Sequence, residues 1–302
     1  MKPGRVLVTG AGGFVGRALA EGFVDLGWDV VGLDRAFDAD CEPARFQCVE
    51  RDLARGVDDQ LPRFDVVIHA AWVTTDPTTL GVSPTEHVLL NLRPLLGILE
   101  YVDRTAPSAF VFLSSSGVFG PNDGSDGLRD SDTPTGDSYY AAAKRAGELL
   151  VQASSGPRVP THVMRLGYLF GPGEVSRTSR RGVSLVATWL EAALDGSPLA
   201  VRQDDPVRDW TFTSDLAEAL LCVLDDPPAG RPLHLGSPQV LSDNALAASI
   251  ADLFDGASVT SAPAVAPVKP PMVPSDIPAL HGFSWTPTAT ALHAMVTSGA
   301  MT

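Results

Sequence analysis

Thr9-Gly10-Ala11-Gly12-Gly13-Phe14-Val15-Gly16 joins a short apolar run, Arg5–Thr9, to a stretch of helical periodicity, Phe14–Leu26. Glycines at 10, 13 and 16 permit a tight turn, close approach of backbone to a phosphate, and close packing of helix on strand. A helix opening directly on such a turn offers unpaired N–H groups and the positive end of its dipole. Strand, glycine turn and helix in that order read as a dinucleotide-binding loop, with Phe14 and Val15 in the turn facing the ligand. A second apolar run, Asp29–Leu33, then ends at Asp34. A carboxylate there suits the adenosine ribose hydroxyls and repels a 2′-phosphate, which points to NAD. Arg35 is the residue type that partners a 2′-phosphate, so NADP is the alternative, and a pair of solvated loop charges is the simpler one.

The same alternation extends outward. Arg45–Val49, Asp65–Ala71, Ala109–Leu113 and Val159–Leu166 read as further buried strands, and Leu26 is followed by Gly27 at a helix C-cap position. One long helix opens on Ser83-Pro84-Thr85-Glu86, a capping box with proline at the first helical position. Another runs over Ser138–Ala153. Near-continuous apolar strands separated by helices predict an α/β fold, a doubly wound parallel sheet of Rossmann type. Its ligand crevice lies at the carboxyl ends of the strands. Residues 1–170 are expected to form the dinucleotide-binding domain, with segments at about 205–240 returning to it. Residues 171–302 form mainly a small, mixed substrate-binding region containing helices, one short strand (Leu233–Leu235) and a proline-rich stretch from Pro263 to Pro278.

Composition narrows the function. The 302 residues include 36 acidic and 22 basic side chains, a formal net charge of −14. Nucleic acids and anionic membranes are held by excess Lys and Arg, so neither is an expected partner. No run approaches the length of a membrane span, and Lys2 precedes an apolar run too short for a secretory signal. Cys41, Cys48 and Cys222 lack metal-ligand spacing, so no metal site is expected and a cytoplasmic location is. Only three residues are lysine: Lys2, Lys144 and Lys269.

Lys144 ends Tyr140-Ala141-Ala142-Ala143-Lys144, whose i, i+4 spacing puts phenol and ammonium on one helical face. A neighbouring cation stabilises phenolate and makes tyrosine a usable base. A hydroxyl partner is available in Ser114-Ser115-Ser116-Gly117-Val118-Phe119-Gly120, which leaves the fifth strand at its carboxyl end. Arg51-Asp52-Leu53, after the third strand, is a candidate adenine contact, although Asp52 could equally cap the next helix. Trp72, Thr74 and Thr75 follow the fourth strand and are candidates for the substrate pocket, with plain packing the other reading of Trp72.

These ordered motifs, with His69-Ala70-Ala71 and Arg208-Asp209-Trp210-Thr211-Phe212-Thr213-Ser214-Asp215, resemble the extended short-chain dehydrogenase/reductases, the NAD-dependent sugar epimerase/dehydratase group. The resemblance covers most of the chain. It implies a catalytic triad of Ser115, Tyr140 and Lys144, a supporting Asn91, and cofactor contacts from Ala70 and Ala71. Tyr140 would take a hydroxyl proton while hydride passes to nicotinamide C4, Lys144 would also hold the nicotinamide ribose, and Ser115 would bind the carbonyl oxygen. It also implies a homodimer through a four-helix bundle of the helices near 83–104 and 138–153. Pro94 stands where the family usually has glycine.

Departures from the pattern bear on the substrate. Sugar 4,6-dehydratases resemble one another in an acid directly after the strand-five hydroxyl; here Ser116 and Gly117 follow, which ranks that reaction low. Arg208 matches a diphosphate-binding arginine, yet no arginine follows Arg231, and Tyr168 replaces an asparagine. A smaller sugar or sugar acid therefore stands beside a nucleotide sugar as substrate. Arg177, Arg180 and Arg181 form either an anion grip or a solvated basic loop. The expected function is an NAD(P)-dependent oxidoreductase or epimerase acting on a secondary hydroxyl or carbonyl of a small-molecule sugar. A non-enzymatic dinucleotide sensor or scaffold on the same fold is the alternative.

Overall fold

The computed structural model describes residues 1–37, 45–57, 61–226 and 230–299, and Cys41 lies outside them. The chain begins β1 (Arg5–Thr9), α1 (Phe14–Asp25), β2 (Asp29–Asp34), β3 (Gln47–Glu50), β4 (Val66–His69), α2 (Pro77–Leu80) and α3 (Pro84–Thr105). It continues β5 (Ala109–Ser115), α4 (Tyr139–Ala153), β6 (Thr161–Leu166), β7 (Tyr168–Phe170), α5 (Leu185–Leu194) and β8 (Leu199–Arg202). The remainder is β9 (Val207–Phe212), α6 (Leu216–Leu224), β10 (Leu233–His234), β11 (Val240–Ser242), α7 (Asp243–Ala251), β12 (Val259–Ala262) and α8 (Thr288–Ser298).

Seven strands make one parallel sheet in the order β10-β6-β5-β4-β1-β2-β3. β1 shows why both faces must be covered. Val6 and Val8 pack with Leu19, Phe23, Leu216 and Leu220 on the side of α1 and α6. Leu7 packs on the opposite side with Leu95, Ile98 and Phe112, beneath α3 and α4. The chain winds one way from β1 through β2 to β3, and the other way from β4 to β6. The crevice opens where those directions part, at the ends of β1 and β4.

Local signals set the helix starts. Ser83 Oγ accepts from Glu86 N at 3.2 Å, and Ser138 Oγ accepts from Ala141 N at 3.1 Å, each at an N-cap. α3 stays one helix through Pro94.

Beyond Gly171 the sequence pattern suggests a single strand, whereas the structure has β8, β9, β11 and β12 there as well as β10. β9 shows the reason: Arg208, Asp209, Trp210 and Thr211 are all buried while Val207 is exposed. Charges occupy the places where apolar residues would mark a strand. A three-stranded sheet β11-β9-β7, a β12-β8 pair and α5, α7 and α8 surround a separate core that includes Trp189, Trp210, Ile250 and Met295. The run Asp65–Ala71 is likewise shorter as a strand, since Ala70 and Ala71 already belong to the crevice turn.

Ile98 joins α3 to the sheet and is fully buried. Ile98→Ala should lower unfolding free energy by about 2–5 kcal/mol in urea titration.

Candidate active site

Backbone proximity shapes the half of the site around β1. Gly10 has φ +73°, and a Cβ there would lie 2.5 Å from Ala71 N. A Cβ on Gly16 would lie 2.1 Å from the Gly10 carbonyl oxygen. Gly10 N donates to Leu33 O at 2.8 Å and Ala70 N donates to Thr9 O at 3.1 Å, so the turn is fixed to both neighbouring strands. Gly13 is the N-cap of α1, with no side-chain cap and no acid in the first turn. The first N–H groups of α1 are thereby left for an anion. The Asp34 carboxylate accepts from Gly12 N at 3.0 Å and from Arg35 N at 2.6 Å. Burial nonetheless raises its pKa above the usual aspartate value. The Arg35 side chain is exposed. Asp52 caps the turn at residues 53–55 by accepting from Ala54 N at 3.0 Å, and Leu53 is buried against the α3 side of the sheet.

The hydroxyls of Ser115 and Tyr140 come together at the end of β5. Gly117 N donates to Ser115 Oγ at 3.0 Å. A Cβ on Gly117 would stand 2.6 Å from the Tyr140 ring and 3.2 Å from Ser115 Oγ, so this glycine lets the serine and the phenol share one turn. Lys144 is buried and turns toward the sheet. Its ammonium donates to Leu113 O at 2.6 Å and lies 4.0 Å from the centroid of the Trp72 ring. Burial pushes the Lys144 pKa down to about 7, against the pull of Glu148 one turn on. Burial also raises the Tyr140 pKa, outweighing hydrogen bonding to Ser115 and the charge of Arg180. That direction is opposite to what the tyrosine–lysine spacing alone suggests, because burial of the phenol outweighs the polar groups around it. Glu148 is held by Ser114 Oγ at 2.6 Å and by Arg165 through two contacts at 2.8 Å.

The substrate side is built by loops. Asn91 is buried and spends its amide on backbone, accepting from Val73 N at 2.7 Å and donating to Val73 O and His87 O at 3.2 Å each. Thr74 N and Thr75 N both donate to Ser179 O, at 2.8 and 3.1 Å, which pins the loop after β4 to the arginine loop. In that loop Arg177 and Arg180 pair through their backbones, and the Arg181 side chain is exposed. Arg208 forms a buried, two-contact ion pair with Asp243, at 2.7 and 3.0 Å, and stacks on Tyr168. Ser116 is buried, and its carbonyl accepts from the Lys269 ammonium.

A family model described as the NAD dependent epimerase/dehydratase family matches residues 6–236. The chain belongs to this family. It is 24% identical over 264 residues to UDP-glucuronic acid decarboxylase 1 of Arabidopsis thaliana, covering 83% of this chain but only 58% of the decarboxylase. It is 27% identical over 246 residues to dTDP-6-deoxy-L-talose 4-dehydrogenase (NAD(P)(+)) of Kitasatospora kifunensis, covering 78% of this chain and 74% of the dehydrogenase. UDP-glucuronic acid 4-epimerase from Bacillus cereus, solved in complex with NAD, has the same fold: TM-score 0.80, 22% identity, and coverage of 96% of this chain and 94% of that one.

NAD is accordingly the cofactor, and the turn after β1 fits it. A Cβ at Gly10 or Gly16 would strike the backbone of the turn and of the chain after β4, so this tight turn requires glycine at both places, and the α1 start beside it carries no side-chain cap.

Two more residues lie against this centre: Arg180, from the arginine cluster, and Lys269, which no motif singles out. Arg180 is tethered to Glu174 at 2.6 Å, with its guanidinium 5.0 Å from the Phe14 ring. Lys269 arrives from the proline-rich stretch. The signal for it was only its rarity, as one of three lysines.

Lys144 also makes stability depend on pH. The folded protein releases this proton near pH 7, and the unfolded chain near 10.5, so stability rises with pH between those values. Lys144→Met should therefore stabilise the cofactor-free protein by a few kcal/mol at pH 6.5, roughly 1.4 kcal/mol per pH unit of displacement. The gain should shrink as pH approaches 10. Urea titrations at pH 6.5 and 9.5 check both points; an equal gain at the two would show that the ammonium is not desolvated.

Proposed function

We propose that this chain is an NAD-dependent oxidoreductase or epimerase that acts on a secondary hydroxyl or carbonyl of a sugar, sugar acid or nucleotide sugar. The observation that carries the reading is the shared turn at Gly117, where Ser115 Oγ and the Tyr140 ring approach within the space of one methyl group. NAD, when bound, supplies the acceptor or donor of a hydride. Gly10, Gly13 and Gly16 would hold its pyrophosphate with Phe14 and Val15. Asp34 would hold the adenosine ribose, with Ala70 and Ala71 lining the opposite wall.

The chain's own chemistry is proton handling. Ser115, its Oγ already oriented by Gly117 N, donates to the substrate oxygen and positions it at the phenol. Tyr140 takes the hydroxyl proton in the oxidative direction and returns it in the reductive one. Lys144 would lend its charge to the phenolate on turning from the Leu113 carbonyl, which holds its ammonium in this structure. Asn91 acts at one remove by holding Val73, and with it the path of the chain past Trp72.

Epimerisation and net oxidation are separated by the fate of NAD. An epimerase retains NAD through purification and accumulates no NADH, whereas a dehydrogenase forms NADH in proportion to product. Tyr140→Phe should reduce turnover by about 10²–10⁴-fold with NAD binding retained. Full turnover in that variant would refute the proton-transfer role and favour a dinucleotide-binding sensor.

The same reading includes a homodimer. α3 and α4 pack together and expose Leu89, Leu96, Tyr139 and Leu149, the last at 68%. Exposed apolar residues on two adjacent helices suit pairing with their copies in a four-helix bundle. Leu96→Glu with Leu149→Glu should convert a dimer to a monomer in sedimentation velocity. The reading also places the protein in the cytoplasm, which suits Cys48 and Cys222 remaining thiols.

A further inference from the structure

Buried or half-buried arginines in this acidic protein are matched to carboxylates. Arg165 pairs with Glu148 at 2.8 Å, Arg208 with Asp243 at 2.7 Å, and Arg180 with Glu174 at 2.6 Å. Two lysines break the pattern, for among the described residues neither Lys144 nor Lys269 forms an ion pair. Both instead donate to backbone carbonyls of one short segment, Lys144 to Leu113 O and Lys269 to Ser116 O. They bracket Ser114 and Ser115. Lys144 has its task in the reaction. Lys269 does not.

The position of Lys269 is built rather than incidental. The stretch following it is clamped on both sides: Leu128 N donates to Pro271 O at 2.9 Å and Val273 N to Leu128 O at 2.8 Å. Met272 N donates to the buried Asp209 at 3.0 Å. Asp209 is the acid whose charge Lys269 feels, but its carboxylate is spent on Met272 N and Tyr168 N. A half-buried ammonium with no carboxylate partner is held at a cost that an anion beside it would relieve. The ammonium has three N–H donors and one is committed to Ser116, which leaves two, the number a carboxylate accepts. The arginine that matches a diphosphate anchor, Arg208, is occupied by Asp243.

We propose that Lys269 is the anion-binding group of the substrate pocket and that the substrate is an acid sugar, whose carboxylate pairs with it one residue from Ser115. This substrate assignment rests on the sugar-oxidoreductase reading above.

The test measures binding, not turnover, by calorimetry on NAD-loaded protein. D-Glucuronate and D-galacturonate are compared with D-glucose and D-galactose, and UDP-glucuronate with UDP-glucose. At least one acid should bind tenfold or more tightly than its neutral counterpart. Lys269→Gln should weaken that acid by about thirtyfold and bring the acid-to-neutral ratio near one, while Lys269→Arg keeps the preference. A wild-type ratio near one for every pair, or no binding of any acid, overturns the proposal without recourse to a variant. An unchanged ratio in Lys269→Gln also overturns it. Tyr140→Phe with full turnover would instead sink the hydride chemistry and leave the acid preference standing, so the two failures are distinguishable.

Discussion

The site depends on how little charge the carboxyl end of β5 can tolerate and how much it is made to hold. Lys144 is placed in an apolar setting of Trp72 and Phe112, with only a peptide carbonyl and two ring faces for its ammonium. That setting is unfavourable for a cation, and it is maintained by the packing of α3 and α4 on the sheet. Glu148, Ser114 and Arg165 lie behind it as a second charged layer, fully buried and hydrogen-bonded. The buried Arg165–Glu148 pair fixes where α4 sits along β5 and β6 more than it adds to stability. Tyr140 is then set by the same helix against the Gly117 turn.

Much of the sheet was legible because its strands are buried on both faces and read as unbroken apolar runs. Arg5–Thr9 and Asp29–Leu33 needed only such a run and a glycine boundary. The helix starts at Ser83 and Ser138 were equally plain, since a hydroxyl before a helical pattern has one efficient use. The small region was opaque for the opposite reason. Its strands are three to six residues long, and β9 turns Arg208 and Asp209 inward, so periodicity marks no strand there.

The chemistry divides along the same line. Tyr140 and Lys144 share a helix, so local spacing related them, whereas Ser115, at the end of a strand, was joined to them by the family resemblance. Lys269 reaches Ser116 across 153 positions, and no local pattern relates residues at that separation. Arg180 shows a different limit. It shares a loop with Arg177 and Arg181, and its tether to Glu174 and its place over Phe14 are long-range contacts that a run of arginines does not announce. Asp52 and Asn91 illustrate a third, since a polar side chain near a ligand crevice also has backbone to serve, and both do.

The chain leaves the main sheet after β6 and comes back to it only at β10, where Leu233 and His234 pair with Met164 and Arg165. A sheet lacking β10 would have β6 as its outer strand. Unpaired strand edges recruit other strands. The two-residue β10 pairs with only Met164 and Arg165 of the six residues of β6, so the cover on that edge is short and depends on residues far along the chain.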